Sequence, residues 1–153
     1  MKHIVVFAFA LFLTGVSIAQ SGSAKHVNWN FSAKKISENL YEVHMTANIG
    51  GDYHMYSQQA GAEGPIPTEF KFSPNPLVTL DGKTKEVGKL INVFESAWDG
   101  KVNYYEKKVE FVQLVKLKGK VKTSVSGKVE FIVCNESQCL PPAQVDFKIP
   151  VGG

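Results

Sequence analysis

The stretch "LYEVHMTANI", residues 40–49, decides the fold class, because apolar and polar side chains alternate along it. Odd positions from Tyr41 to Ile49 are apolar, and even positions from Glu42 to Asn48 are polar. A period of two is typical of a β-strand with one buried face. The stretch therefore predicts a strand that covers a hydrophobic core.

The same alternation recurs in "TEFKFS", "KKVEFVQLVKL", "KVEFIVC" and "QVDFKIPV". Clusters rich in Gly, Pro, Asn and Asp separate these runs, among them "NIGGD", "AGAEGPIP", "SPNP" and "WDGK". Such clusters are typical of turns between strands. Seven or eight short strands without an amphipathic helix predict an all-β fold, an immunoglobulin-like antiparallel β-sandwich. A jelly roll or a small barrel is the alternative.

The first residues of the 153-residue chain have the organisation of a secretory signal peptide. A basic start precedes an apolar run of about ten residues, and small residues follow it. The run is shorter than the roughly 20 residues that a membrane-spanning helix needs. We therefore expect a signal peptide over residues 1–19 with cleavage near Ala19. A flexible leader over residues 20–26 and one domain over residues 27–151 would follow, without membrane insertion.

The basic residues exclude some classes of partner. All 17 are Lys, and the chain contains no Arg. Arg reads base edges and clamps phosphates with two hydrogen bonds, so its absence counts against nucleic-acid recognition and against a dedicated phosphate site. No Gly-x-Ser-x-Gly elbow is present either, which counts against a hydrolase of that type.

Both cysteines lie in "FIVCNESQCLPP", residues 131–142. Cys134 would end a strand and Cys139 would lie in the turn, next to a stiff proline pair, so the thiols sit on a hairpin at one end of the sandwich. A disulfide here closes a ring of six residues and contributes only about 2 kcal/mol on the chain-entropy model, against roughly 4 for a loop of about 60 residues. Short exposed disulfides exchange readily with other thiols. A structural clip and a redox pair both remain open at this point.

The loop between the cysteines contains Glu136 and neither Lys nor His. No residue of the loop would therefore lower the pKa of a thiol. We infer that an activated thiolate of a partner attacks this pair, with the present chain as the recipient.

The cysteine segment "FIVCNESQCLPPAQVDFKIPV" resembles the active-site hairpin and closing strand of the amino-terminal domain family of the thiol:disulfide interchange protein DsbD. "GGDYHMYS" is similar to the glycine-plus-aromatic strand of that family. "FESAWDGKVNYYEKKVEFVQLV" is similar to the segment that carries its cap loop and a long strand. The resemblance covers about residues 27–151. It implies a periplasmic immunoglobulin-like domain that shuttles electrons through two cysteines.

The resemblance also implies roles for individual residues. Cys134 and Cys139 match the redox pair, with Cys139 as the sulfur that forms a mixed disulfide with a thioredoxin-like reductant. Trp98 matches an aromatic cap over the cysteines, and His54 and Tyr56 match side chains that line the site. The alternatives are a core or turn aromatic at Trp98, a core tyrosine at Tyr56 and a surface histidine at His54.

Two departures from the family pattern affect the site. The acidic pair of the family's cap corresponds to Ser96 and Ala97, so only Glu95 and Asp99 could replace those carboxylates. The spacing of the cysteines is also one residue shorter than in the best-known members.

The resemblance implies a periplasmic electron relay, in a setting such as cytochrome c biogenesis. Its partners would be thioredoxin-like redox proteins, a membrane electron-transfer protein and oxidised periplasmic substrate proteins. We expect no cofactor and no metal, and a carrier that is neither a hydrolase nor a transferase. The chain reaches Gly153 without a membrane segment or a thioredoxin-like domain, so we expect either that electrons arrive from a separate protein or that the chain has lost the relay role and kept only the domain.

Two alternative functions remain. One is an immunoglobulin-like binding module with a structural disulfide. The other is a copper-binding protein, because His44-Met45 and His54-Met55 are pairs of soft ligands. Adjacent residues of a strand point to opposite faces, so the two histidines could converge only if their strands were neighbours in register.

Overall fold

The structure, a computed structural model, describes residues 22–153; the predicted signal peptide and the first two leader residues lie outside this range. It contains one short 3-10 helix and eleven strands. The helix is Gly22–His26. The strands are β1 Val27–Lys35, β2 Leu40–Ile49, β3 His54–Gly61, β4 Glu69–Phe72, β5 Val78–Gly88, β6 Ile91–Glu95, β7 Gly100–Glu106, β8 Lys108–Leu117, β9 Thr123–Phe131, β10 Val133–Cys134 and β11 Ala143–Val151. Over residues 22–153, no helix has the length and apolar character needed to cross a bilayer.

The strands form three antiparallel sheets. The first has the order β1-β2-β8-β5, the second β10-β3-β7-β6 and the third β11-β9-β4. Buried side chains of all three sheets meet in one hydrophobic cluster, which we call the main core. This arrangement confirms the predicted immunoglobulin-like antiparallel β-sandwich.

The prediction of seven or eight strands is too low for residues 22–153. The run "KVEFIVC" breaks at Ile132 and forms both β9 and β10. The segment 78–95 forms β5 and β6, which are edge strands of their sheets with mostly exposed side chains. An edge strand that buries little surface does not need alternating apolar residues, so its sequence shows little of the period-two pattern by which strands are predicted.

The opening stretch forms β2 and behaves as its alternation predicts. Its odd positions from Tyr41 to Ile49 are at most 6% exposed. The strand pairs along its length with β1 and β8. Phe111 of β8, which pairs with Met45, and Phe131 of β9 are fully buried and contact the Trp29 ring. Each fully buried large apolar side chain contributes about 1.5–3 kcal/mol, so this core carries much of the stability.

Residues 22–26, which the sequence predicts to be part of a flexible leader, form the 3-10 helix. Ser23 is fully buried; its hydroxyl donates to the Pro141 carbonyl at 2.9 Å and accepts the Val133 N–H at 3.0 Å. A Cβ at Gly22 would collide with Pro141. The small polar side chain thus satisfies backbone groups on both sides of the cysteine hairpin and fixes that hairpin to the domain.

A half-buried carboxylate, Glu86, forms a hydrogen-bond network that fixes β3, the strand that carries two predicted site residues. Glu86 of β5 accepts hydrogen bonds from the Ser57 hydroxyl at 2.8 Å, the Gln58 N–H at 2.6 Å and the Tyr105 hydroxyl at 2.8 Å. Burial and this hydrogen bond raise the pKa of Tyr105. The network joins the first sheet to the second and holds β3 in place.

Candidate functional site

The cysteine hairpin is closed both by a covalent bond and by hydrogen bonds. Cys134 and Cys139 form a disulfide with their Cα atoms 4.0 Å apart. The Asn135 side-chain oxygen accepts the backbone N–H groups of Ser137 at 3.0 Å and Gln138 at 2.9 Å. Asn commonly organises turns in this way, because its side chain replaces a backbone acceptor. The tip that carries the disulfide is therefore well ordered by local contacts.

The two cysteines differ in accessibility. Cys134 is 2% exposed, whereas Cys139 is an exposed residue. Cys134 belongs to a second, smaller hydrophobic cluster on the outer face of the second sheet, which we call the site cluster. Its buried members are Tyr56, Ala60, Val102, Ile132 and Cys134. A partner approaching from solvent therefore meets Cys139 first.

The structure brings the five predicted site residues together. Cys134, Cys139, Trp98, His54 and Tyr56 line one cleft of about 920 Å³. The cleft lies between the cysteine hairpin, the start of β3 and the turn that joins β6 to β7. Its open form leaves room for a protein segment beside the disulfide.

Trp98 lies in the turn between β6 and β7 and is half-buried. Its indole N–H donates to the Tyr56 hydroxyl at 2.9 Å, and that hydroxyl donates to a Glu95 carboxylate oxygen at 3.1 Å. The indole also lies against Gly64, where a Cβ would overlap the ring. Gly64 has a φ of 127°, which favours glycine. The turn thus holds Trp98 against the site cluster on two sides.

Tyr56 is both a core residue and a residue of the cleft. It is 1% exposed, yet its hydroxyl joins Trp98 to Glu95. Burial raises the pKa of Tyr56 to about 12; the hydrogen bond from Trp98 lowers it and the Glu95 carboxylate raises it further. The phenol therefore keeps its proton, and with it the hydrogen bond to Glu95, at neutral pH.

His54 lies directly opposite Cys134 in the pairing of β3 with β10. Its side chain is 12% exposed and stacks on Tyr104 with ring centroids 4.1 Å apart, so it is not a surface histidine. Its Nε2 lies 3.9 Å from a Glu95 oxygen, too far for a hydrogen bond, and has no hydrogen-bond partner within residues 22–153. Burial lowers the pKa of His54, although Glu95 and Glu106 oppose this, so the site favours the neutral imidazole.

The walls of the cleft are acidic. They contain the four carboxylates of Asp52, Glu95, Glu106 and Glu136 and the single ammonium of Lys107. The whole chain, in contrast, has a formal net charge of +3. The cleft therefore has the opposite sign of charge to the rest of the molecule.

Sequence reasoning missed part of this environment. It noted Glu95 only as a carboxylate near the cap, and it did not single out Tyr104. It also found no histidine near the thiols, which holds for the loop but not in space, because His54 is the cross-strand neighbour of Cys134. Nothing in a local pattern identifies such a pair, since the register of two distant segments sets it.

The two His-Met pairs do not converge. His44 lies on β2 of the first sheet and His54 on β3 of the second, and these strands are not neighbours. Met45 and Met55 are both fully buried in the main core. The condition for a joint copper site at the two pairs is therefore not met.

Comparison with known proteins places the chain in a family. The family model described as "Thiol:disulfide interchange protein DsbD, N-terminal" matches residues 21–150. The reduced DsbD N-terminal domain of Neisseria meningitidis is similar in structure, with a TM-score of 0.54 and 17% identity over 84% of this chain and 88% of that one. The N-terminal periplasmic domain of ScsB from Proteus mirabilis has a TM-score of 0.57 and 11% identity over 88% of this chain and 52% of that one.

At these identities the two structures show the fold alone. Among curated proteins, none matches the chain. The family model, however, covers most of the sequence, including the cysteine hairpin, the turn that carries Trp98, and β3. The chain therefore belongs to the family of N-terminal domains of the thiol:disulfide interchange protein DsbD.

Proposed function

We propose that this chain is a periplasmic electron carrier that works through reversible opening of the Cys134–Cys139 disulfide. Its family indicates thiol:disulfide interchange in general. The observation that carries the specific proposal is the difference in burial between the two sulfurs, with Cys139 at the surface and Cys134 covered. A two-step dithiol exchange needs one accessible sulfur that forms the mixed disulfide with the partner and a second sulfur that resolves it.

Reduction of the carrier begins at Cys139. A thiolate of a thioredoxin-like partner attacks the Cys139 sulfur, the Cys134–Cys139 bond breaks, and Cys134 leaves as a thiolate. The second thiolate of the partner then displaces Cys139 from the mixed disulfide. The carrier has gained two electrons, its two thiolates take up from water the protons that the partner thiols released, and the partner holds the disulfide.

Oxidation reverses these steps on a different protein. The Cys139 thiolate attacks the disulfide of an oxidised periplasmic protein and forms a mixed disulfide. Cys134 then attacks Cys139, re-forms the internal bond and releases the substrate as a dithiol. A membrane electron-transfer protein would supply the electrons through the thioredoxin-like partner, and export by a signal peptide would bring the chain to this compartment.

Trp98 acts as a cap in this proposal. Its hydrogen bond to Tyr56 and its packing against Gly64 support a closed position beside the site cluster. A docking partner would displace the indole and lose that one hydrogen bond, at a cost of about 1 kcal/mol. The cap would thereby limit exchange with small oxidants while admitting a protein partner.

The test uses two single-cysteine variants of the exported domain with a thioredoxin-like protein. The partner keeps only its attacking cysteine, activated as a thionitrobenzoate disulfide. The Cys139 thiolate of the Cys134→Ala variant displaces thionitrobenzoate and forms a mixed disulfide that neither protein can resolve, so a covalent complex should accumulate on a non-reducing gel. Cys139→Ala is the matched control and should trap little complex, because its remaining sulfur is buried. If neither thioredoxin nor glutathione reduces the folded wild-type disulfide, the carrier proposal fails and a structural clip in a binding module is supported.

A further inference from the structure

The partner of Cys134 across the sheet is a histidine that has no hydrogen bond at its buried nitrogen. His54 and Cys134 face each other in the β3–β10 pairing, and both line the cleft. Directly opposite residues of an antiparallel pair project to the same face with Cβ atoms about 4.5–5.5 Å apart. The imidazole and the thiol are therefore neighbours on the outer face of the second sheet.

Cys134 has a chemical need that its own loop does not meet. To attack a mixed disulfide it must become a thiolate, and burial in an apolar cluster raises the pKa of a thiol. Cys134 is 2% exposed, within the site cluster. The loop from Asn135 to Gln138 contains no cationic side chain. A base next to the buried sulfur would remove this obstacle.

The surroundings of His54 suit a base that is neutral at rest. The groups that face it are the Glu95 carboxylate from β6, Glu106 and Tyr104 from β7, Tyr56 from its own strand and Cys134 from β10. Burial lowers the pKa of His54 and so favours the neutral imidazole, while the Glu95 carboxylate 3.9 Å away favours the protonated form once a proton arrives.

We propose that His54 is the proton acceptor for Cys134 in the resolving step. The inference rests on the proposed carrier function and adds a residue-specific role to it. The Cys134 thiol gives its proton to the imidazole, and the resulting thiolate attacks the Cys139 sulfur of the mixed disulfide. The Cys134–Cys139 bond forms, the bond to the partner breaks, and the partner sulfur leaves with the electron pair. The imidazolium then returns its proton to the departing thiolate or to water.

The reverse direction uses the same groups. When a partner thiolate attacks Cys139 of the oxidised carrier, Cys134 leaves as a buried thiolate. A proton passed through His54 neutralises it. A proton acceptor of this kind typically contributes a factor of about 10² or more to the rate of its step.

The experiment separates the two sulfurs with Ellman's reagent and the reduced domain. Attack by Cys139 releases one thionitrobenzoate and leaves a mixed disulfide, and attack by Cys134 releases the second, so the two steps appear as separate absorbance phases. His54→Gln should slow the second phase by about 10²-fold at pH 7. It should also move the pH profile of that phase to higher pH, with the first phase little changed. His44→Gln, which alters a histidine on another sheet, should leave both phases as in the wild type.

A second variant tests whether the slow second phase of His54→Gln comes from loss of structure and not from loss of the proton acceptor. His54→Phe keeps an aromatic ring to stack on Tyr104 but has no proton acceptor, and it should show the same slow second phase with a normal unfolding temperature. A second phase with wild-type rate and pH profile in both His54 variants would overturn the role of His54 and leave the carrier function intact. Release of only one thionitrobenzoate by the wild type would overturn the carrier function and this inference with it.

Discussion

Two strands that follow each other in the chain but belong to different sheets, β2 and β3, carry the same His-Met dipeptide, and the two methionines have the same environment. Met45 of β2 and Met55 of β3 are both fully buried in the main core. In each strand the period of two places the methionine inward and the preceding histidine outward. For the inward positions, the local pattern is sufficient to describe the environment.

The two histidines differ. His44 lies on the outer face of the first sheet, 3.4 Å from a Glu42 oxygen and 3.2 Å from a Glu110 oxygen. His54 lies on the outer face of the second sheet, against Tyr104 and opposite Cys134. A sandwich buries one face of each sheet, so the burial and polarity of the outer face depend on the loops and turns that cover it. On the second sheet, the turn that carries Trp98 and the cysteine hairpin border one cleft over this outer face.

The largest effects should come from the shared inward positions. Met45→Ala and Met55→Ala should each lower the free energy of unfolding by about 2–5 kcal/mol, because each leaves a cavity in the same core. Urea denaturation measures both, with His44→Gln as a control expected within about 0.5 kcal/mol of the wild type. A loss below about 1 kcal/mol for only one methionine variant would show that the two do not share one core.

The covered outer face should show an intermediate effect. Tyr56→Phe removes the hydroxyl between Trp98 and Glu95, so it should lower the free energy of unfolding by about 1–3 kcal/mol and change the fluorescence of Trp98. Tyr105→Phe is the matched control, because it removes a hydroxyl bonded to another carboxylate, Glu86. The control should lose similar stability without a change in the fluorescence of Trp98. Identical spectra for both variants would contradict the hydrogen bonds that join Trp98, Tyr56 and Glu95.

The histidines should also differ in their effect on stability as a function of pH. The pKa of His54 is lowered from 6.5 by burial, so the unfolded chain binds more protons below that pH and the folded state loses stability as the pH falls through 6.5. His54→Gln should flatten the curve of unfolding free energy between pH 7.5 and pH 5, whereas His44→Gln should retain the fall due to His54. Parallel curves for the wild type and His54→Gln would contradict the burial of this imidazole.

The smallest effect should come from the charge of the cleft. Its four carboxylates and one lysine should make exchange with the cationic disulfide cystamine faster than with anionic oxidised glutathione, by less than about tenfold, and salt should reduce the difference. Glu136→Gln should reduce the preference for cystamine. Glu69→Gln, which removes a carboxylate outside the cleft, should leave the preference for cystamine unchanged. An equal change in both variants would show that this preference depends on the net charge of the protein alone.

Much of the fold follows from local pattern. The alternation in β2 and β8 predicts which side chains are buried, and the structure places them there. The pattern was insufficient at β5 and β6, which bury little surface, and at residues 22–26, where one buried serine holds the segment in place. In both cases contacts distant in sequence decide the structure.

By itself, the sequence determined the class of fold, the cysteine pair and its hairpin, and the residue types that could surround it. These properties depend on periods and spacings along the chain, which are local. Only the tertiary structure decided that His54 faces Cys134, that Glu95 accepts from Tyr56, and that Cys134 is covered while Cys139 is exposed. The physical reason is that strand register and the packing of loops join segments tens of residues apart, and no local period encodes those pairings.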